Sequence, residues 1–106
     1  MAEISALIAA MEAKYDALEE LGYRVRFDMK DAGSILLDAT DGDVEIEEDE
    51  SGEAEADTVL ILTSDNLEKL IKGKLNPMLA FSTGRLKVRG SQGVALKLAG
   101  LLEEAS

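Results

Sequence analysis

Thr58-Val59-Leu60-Ile61-Leu62-Thr63 carries four consecutive apolar residues between two threonines, with Asp57 before it and Ser64 after it. A run this short and this rich in β-branched residues predicts a strand rather than a helix. It has no polar face. The pattern therefore predicts a strand covered on both sides, as in the middle of a sheet between helices or beside a cavity.

Downstream, Ser64 or Asp65 is placed to cap a helix, and Asp65 with Glu68 resembles a capping box. That helix runs to Lys72 and stops at Gly73. Asn76-Pro77 predicts a second start, with Asn as N-cap and Pro at the first helical position, where its missing N–H costs nothing. Gly84 opens a strand over Arg85–Arg89, with Leu86 and Val88 on one face. Ser91 then caps a last helix through Leu102.

Upstream, Ile4, Leu7, Ile8, Met11, Tyr15 and Leu18 recur at helical spacing, which predicts one amphipathic helix over residues 3–21, ended by Gly22. The period then becomes two. Tyr23, Val25, Phe27 and Met29 alternate with Arg24, Arg26, Asp28 and Lys30, as in a strand covered on one face. Ser34–Thr40 and Asp43–Glu47 read as two further strands joined by an Asp41-Gly42 hairpin turn. Glu48–Ala56 reads as an acidic loop. The order is helix, four strands, two helices, strand, helix: an α+β domain with a five-stranded sheet covered by helices, spanning residues 1–106.

The 106 residues are 46% apolar, enough to build a core, and carry a formal net charge of −11. Eleven of the 22 acids fall between Asp38 and Asp57, where there is no Lys or Arg. From Thr58 to Leu102 seven bases (Lys69, Lys72, Lys74, Arg85, Lys87, Arg89, Lys97) face two acids, Asp65 and Glu68. The net charge disfavours nucleic acid and anionic membranes as partners of the whole chain. The acidic run is not an EF-hand: in the register that starts at Asp41, Ile46 falls on the glycine position and Gly52 on the closing glutamate.

With no Cys and no His, the chain offers no disulfide, thiol nucleophile, imidazole base, or Cys- or His-ligated metal. Ser and Thr lack a partner base, and the carboxylates at 45–50 sit on a charged segment where nothing raises a pKa. No catalytic residue, metal site or cofactor is expected. Met1-Ala2-Glu3-Ile4 does not open a signal peptide, no apolar run reaches about 18 residues, and Glu104-Ala105-Ser106 is not a peroxisomal address. These features predict a cytoplasmic protein without stable membrane insertion.

Two helices are unusually apolar. Val94, Leu98, Leu101 and Leu102 form one stripe, widened by Ala95, Leu96 and Ala99, and only Lys97 is charged within 94–102. After Asn76-Pro77 come Met78, Leu79, Ala80 and Phe81 in a row. Such helices either pack deeply or touch something apolar beyond their own core, and methionine suits a ligand of variable shape.

Gly73-Lys74-Leu75-Asn76-Pro77, Ala80-Phe81, Gly84-Arg85-Leu86-Lys87-Val88, then Gly90, Gly93 and Leu96-Lys97-Leu98, resemble in order and spacing the C-terminal half of the sterol carrier protein type 2 domain. The likeness covers residues 57–102 and is that of a small, stand-alone bacterial-type member. It implies a five-stranded sheet with covering helices and an apolar tunnel that holds sterols, fatty acids, fatty acyl-CoA or phospholipids. By position, the family's lining falls on Met78, Phe81, Val94, Leu98, Leu101 and Leu102, with Leu67 and Ile71 on the preceding helix. Gly73, Asn76, Pro77 and Gly84 read as caps and turns. Family carriers with a basic surface and a peroxisomal signal differ from this acidic chain.

The basic balance of residues 58–102 adds an expectation that Lys87 and Arg89 meet a phosphate or CoA headgroup. A dry void of roughly 300 Å³ would cost about 7 kcal/mol, so a tunnel must be occupied, wetted or partly collapsed. Two functions follow. One is a non-enzymatic lipid carrier; the other is an accessory module docking on a lipid-metabolising enzyme through its acidic face. An open apolar cavity favours the first and a filled core the second.

Overall fold

The computed structural model describes residues 3–104, so the readings of Met1-Ala2 and Ala105-Ser106 lie outside the described residues. Ten elements follow in order: α1 (Ile4–Glu12), α2 (Tyr15–Leu18), β1 (Arg24–Met29), β2 (Ser34–Asp38), β3 (Glu45–Asp49), β4 (Thr58–Leu62), α3 (Ser64–Ile71), α4 (Pro77–Ser82), β5 (Lys87–Gly90) and α5 (Gln92–Glu104). The strands form one five-stranded sheet in the order β3-β2-β1-β4-β5. β1 and β4 run parallel and the other neighbours antiparallel.

Strand alternation decides which side chains meet the helices. Val25, Phe27 and Met29 of β1, Ile35 and Leu37 of β2, and Leu60 and Leu62 of β4 share the inner face. They form one buried cluster with Leu7 and Met11 of α1, Leu18 of α2, Leu67, Leu70 and Ile71 of α3, and Leu98 and Leu102 of α5. The outer face carries no helix-side core. There Val59 and Ile61 are only half-buried, so β4 is covered fully on one side. This corrects the two-sided reading: valine and isoleucine raise strand propensity without reporting burial.

Over β1 and β2 the outer face is polar apart from Leu36, which is buried opposite Arg26. Asp28 accepts from Arg26 Nε at 2.9 Å and from Ser34 Oγ at 2.8 Å. The acidic loop before β4 lies against this group, since Arg26 Nη1 donates to the Ala54 carbonyl at 2.9 Å. Asp49 Oδ2 accepts from the Ala54 N–H at 2.9 Å, and Asp57 Oδ2 from the Arg24 N–H at 2.9 Å.

Several boundaries differ from the sequence-based expectation. The helix over 3–21 is broken between α1 and α2, although the apolar spacing runs on. The break is where Lys14 turns its amino group to the main-chain carbonyls of Ile71 and, at 3.2 Å, Leu102. A long-range bond of this kind leaves no local signal. Tyr23 stands outside β1 and is 41% exposed, with the Lys97 amino group 5.4 Å from its ring centre.

β3 starts two residues late because Leu37 pairs with Ile46 and Ser34 with Asp49. The link to it is six residues long, with Gly42 at φ 82°, in place of a two-residue turn. The cap of α3 is neither Ser64 nor Asp65 but Thr63, whose side chain accepts from the Asn66 N–H. Ser64 instead donates its hydroxyl to Asp31 Oδ2 at 2.7 Å. β5 begins at Lys87, with Leu86 buried just before it, and α5 extends to Glu104.

Candidate functional site

α4 is short because its ends are fixed locally. Asn76 Oδ1 accepts from the N–H groups of Met78 (2.9 Å) and Leu79 (3.2 Å), while Pro77 fills the first turn. At the other end the Ala80 carbonyl accepts from both Arg85 (2.9 Å) and Leu86 (3.0 Å), which swings the chain back towards β5. Pro77 and Ala80 are buried, anchoring one side of the helix. The side chains between them cannot all follow. Met78 and Leu79 are each 62% exposed and Phe81 48%.

α5 is set by a different device. Gly90 pairs with Thr58 at φ 90°, and a Cβ there would lie 2.7 Å from the Asp57 carbonyl oxygen. Only glycine lets the chain pass this close, after which Ser91 N–H donates to that same carbonyl at 3.0 Å. Ser91 Oγ then accepts from the Val94 N–H at 3.2 Å and starts the helix.

An apolar cavity of ≈ 140 Å³ opens between these two helices and the sheet. Leu60 of β4 and its cross-strand partner Val88 of β5 form the floor, with Leu86 beside them. Leu70 of α3 closes one side. Pro77, Met78 and Phe81 of α4 form a second wall, and Gln92, Ala95, Leu96, Leu98 and Ala99 of α5 a third. Leu96 is 56% exposed, so with Met78, Leu79 and Phe81 it leaves an apolar rim in contact with water.

Of the residues read as lining from the sequence, Met78, Phe81 and Leu98 come together at the cavity. Leu67, Ile71, Val94, Leu101 and Leu102 are buried in the core and do not border it. On α5, Gln92, Ala95, Leu96 and Ala99 border it together with Leu98, on the face turned away from Val94, Leu101 and Leu102. The signal for that face was present in Leu96, which breaks the polar side of α5. Leu60 and Val88 follow from the alternation of their strands.

Lys87 and Arg89 are exposed and alternate with Val88, which turns both to the outer face, away from the cavity. Gln92 is the one polar residue on the wall, and no lining residue is ionisable. The shifted ionisable groups lie elsewhere. Hydrogen bonds from Ser64, Thr40 and Ser51 hold the carboxyls of Asp31, Asp38 and Asp49, respectively, below the usual range. Desolvation lowers Lys14, and the bond to Asp43 raises Tyr15. Among the described residues no cluster of three or more acids could hold a metal ion. The walls can hold an apolar chain; they carry no group for acid–base or nucleophilic chemistry.

Residues 4–103 match the SCP-2 sterol transfer family. Hydroxysteroid dehydrogenase-like protein 2 of Homo sapiens is 40% identical over 50 residues, which are 47% of this chain and 12% of that protein. The chain thus spans about an eighth of that relative's length. The fatty acid-binding protein of Yarrowia lipolytica is 38% identical over 65 residues, 61% of this chain and 50% of that one. The solution structure of the sterol carrier protein domain 2 of Helicoverpa armigera superposes with a TM-score of 0.72 at 27% identity, covering 95% of this chain and 83% of that chain.

Proposed function

The chain belongs to the SCP-2 sterol transfer family, and on that footing we propose that it is a non-enzymatic carrier of a single lipid. The lipid's apolar chain occupies the cavity between α4, α5 and the β4–β5 edge. The observation that carries this reading is the cavity wall itself, which is apolar apart from Gln92. A filled core at this position would have favoured the accessory-module reading.

Size shapes the proposal. A dry apolar cavity of about 150 Å³ accommodates a molecule such as benzene. At ≈ 140 Å³ the cavity therefore holds one end of a fatty acyl chain, not a whole lipid. The rest of the chain lies along Met78, Phe81 and Leu96, or α4 and α5 part to lengthen the space into a tunnel. Left dry and closed, such a volume would cost about 3 kcal/mol, so occupancy stabilises the fold. The headgroup stays in water by the rim, since no charged side chain lines the interior to receive it.

Fatty acids and fatty acyl-CoA fit this arrangement better than a rigid sterol, which cannot thread a narrow opening one segment at a time. Organic extraction of the purified protein followed by mass spectrometry tests the proposal. A bound acyl lipid at near-stoichiometric amount is expected. Bare protein that also fails to take up added fatty acid would exclude it.

A further inference from the structure

The outer face of the sheet is covered over one half only. Residues 50–57 leave β3 at one edge, pass β2 and β1, and enter β4. They run as a strap on the outer side. A Cβ on Gly52 would lie 3.5 Å from Ser34 Oγ, and the Ala54 carbonyl accepts from Arg26 Nη1. Exposure alternates along the strap: Gly52, Ala54 and Ala56 are half-buried, while Glu53, Glu55 and Asp57 are exposed. Leu36, on this half, is buried. On the other half Val59 and Ile61 stay only half-buried beside their cross-strand partners Arg89 and Lys87. The face is therefore stepped, with a raised acidic half next to a lower half that is apolar and basic.

The charges divide along the same line. Glu45 and Glu47 of β3 turn to the outer face, because Ile46 between them pairs with the inner residue Leu37. Ion pairs within the face join Arg24 to Asp38 at 3.3 Å and Arg26 to Asp28 at 2.9 Å. Among the described residues none joins Lys87 or Arg89 to an acid, or Glu53 or Glu55 to a base. The charges left unmatched within one chain are opposite in sign on the two halves.

We propose that this outer face is a self-complementary interface through which two copies of the chain pair reversibly. A two-fold axis lying in the interface and running along the strands sets the β3 side of one copy against the β5 side of the other. The raised strap of each copy then fills the low half of the other and covers its Val59 and Ile61. Glu53 and Glu55 meet Lys87 and Arg89 of the other copy, and the symmetry makes this contact twice. A different protein with an acidic surface would match the low half alone, whereas a second copy engages both.

Five strands about 4.8 Å apart, each of about five residues at 3.3 Å, give a face of roughly 400 Å² in projection. That is about half the 800 Å² that each partner of a standard interface buries, so the pair is weak and depends on concentration. The net charge of −11 per copy does not forbid it. The two β3 edges lie at opposite ends of the pair, four strand spacings or roughly 19 Å apart, beyond two Debye lengths of about 8 Å. The helices stay on the outside of the pair, and none of the residues placed in the contact borders the cavity, so pairing stands apart from the carrier reading.

Sedimentation velocity of the full chain, from about 10 μM to about 1 mM, reads the pairing. A monomer–dimer equilibrium is expected. Lys87→Glu/Arg89→Glu makes both halves acidic, and Glu53→Lys/Glu55→Lys makes the strap basic. Each variant alone should raise the dissociation constant by about tenfold or more. Mixed in equal amounts, the two should pair with each other, because every contact again joins opposite charges; a misfolded variant could not give this rescue. A wild type that stays monomeric throughout would leave the open half to a different protein and overturn the proposal. So would dimers that neither variant weakens, or a mixture that stays monomeric. Species larger than a dimer would assign the contact to head-to-tail pairing of sheet edges and overturn the two-fold arrangement.

Discussion

The amino group of Lys14 donates to the main-chain carbonyl of Leu102, 3.2 Å away, and also to that of Ile71. One side chain thus joins the break between α1 and α2 to the ends of α3 and α5, where carbonyls lack intrahelical partners. α5 is a wall of the cavity, and this contact ties its C-terminal end to that of α3. Lys14→Met keeps the stem and removes the donor. It should lower unfolding free energy by about 1–2 kcal/mol in a urea titration. An unchanged midpoint would mean that water replaces the amine without loss.

Gly90 offers a sharper test of the fold. Its positive φ and the 2.7 Å approach of an added Cβ to the Asp57 carbonyl oxygen act together. Gly90→Ala should destabilise by about 2 kcal/mol or more, measured by thermal or denaturant unfolding. Gly84→Ala, at φ 79° but with open space around the added Cβ, should cost less. The difference between the two isolates the close contact from the backbone strain.

Acid should weaken the fold in a defined direction. Asp31, Asp38 and Asp49 are held below the ordinary carboxyl value by bonds from Ser64, Thr40 and Ser51. A carboxyl with a depressed folded value contributes stability that is complete above about pH 4 and disappears as pH falls through the folded value. Melting temperature should therefore drop between pH 5 and pH 2, as an order-of-magnitude window. Asp31→Asn should flatten part of that slope. An identical slope would show that Asp31 takes no part in it.

Much of this architecture can be read from residues alone. The Thr58–Thr63 run, the Asn76-Pro77 start and the Ser91 cap lie where the chain builds β4, α4 and α5. These signals are local: strand propensity, a cap and a fixed proline angle. What escaped depends on residues far apart. Lys14 breaks a helix through carbonyls more than fifty residues away, and the pairing of Ser34 with Asp49 shifts β3 past its apparent turn. The cavity shows the same division. Met78, Phe81 and Leu98 were legible as apolar residues on apolar helices. The distinction between core residues such as Leu67 or Leu102 and wall residues such as Ala95 or Leu60 needed the rotation of each helix over the sheet.

Filling the space should separate binding from stability. Ala99 borders the cavity and is nearly buried, so Ala99→Phe places a ring where the acyl end is expected. A cavity of ≈ 140 Å³ has room for one ring. The variant should fold with stability within about 1 kcal/mol of the wild type or above it, because filling offsets any strain. Loss of folding would show that the space is too narrow for the role given to it.

The most direct measurement is a titration of the delipidated protein with a fluorescent fatty acid, run beside Ala99→Phe. Saturable uptake of about one molecule per chain, reduced by about tenfold or more in the folded variant, is the result expected of a carrier whose ligand enters this cavity. No saturable uptake by the wild type, or equal uptake by a folded Ala99→Phe, would contradict it.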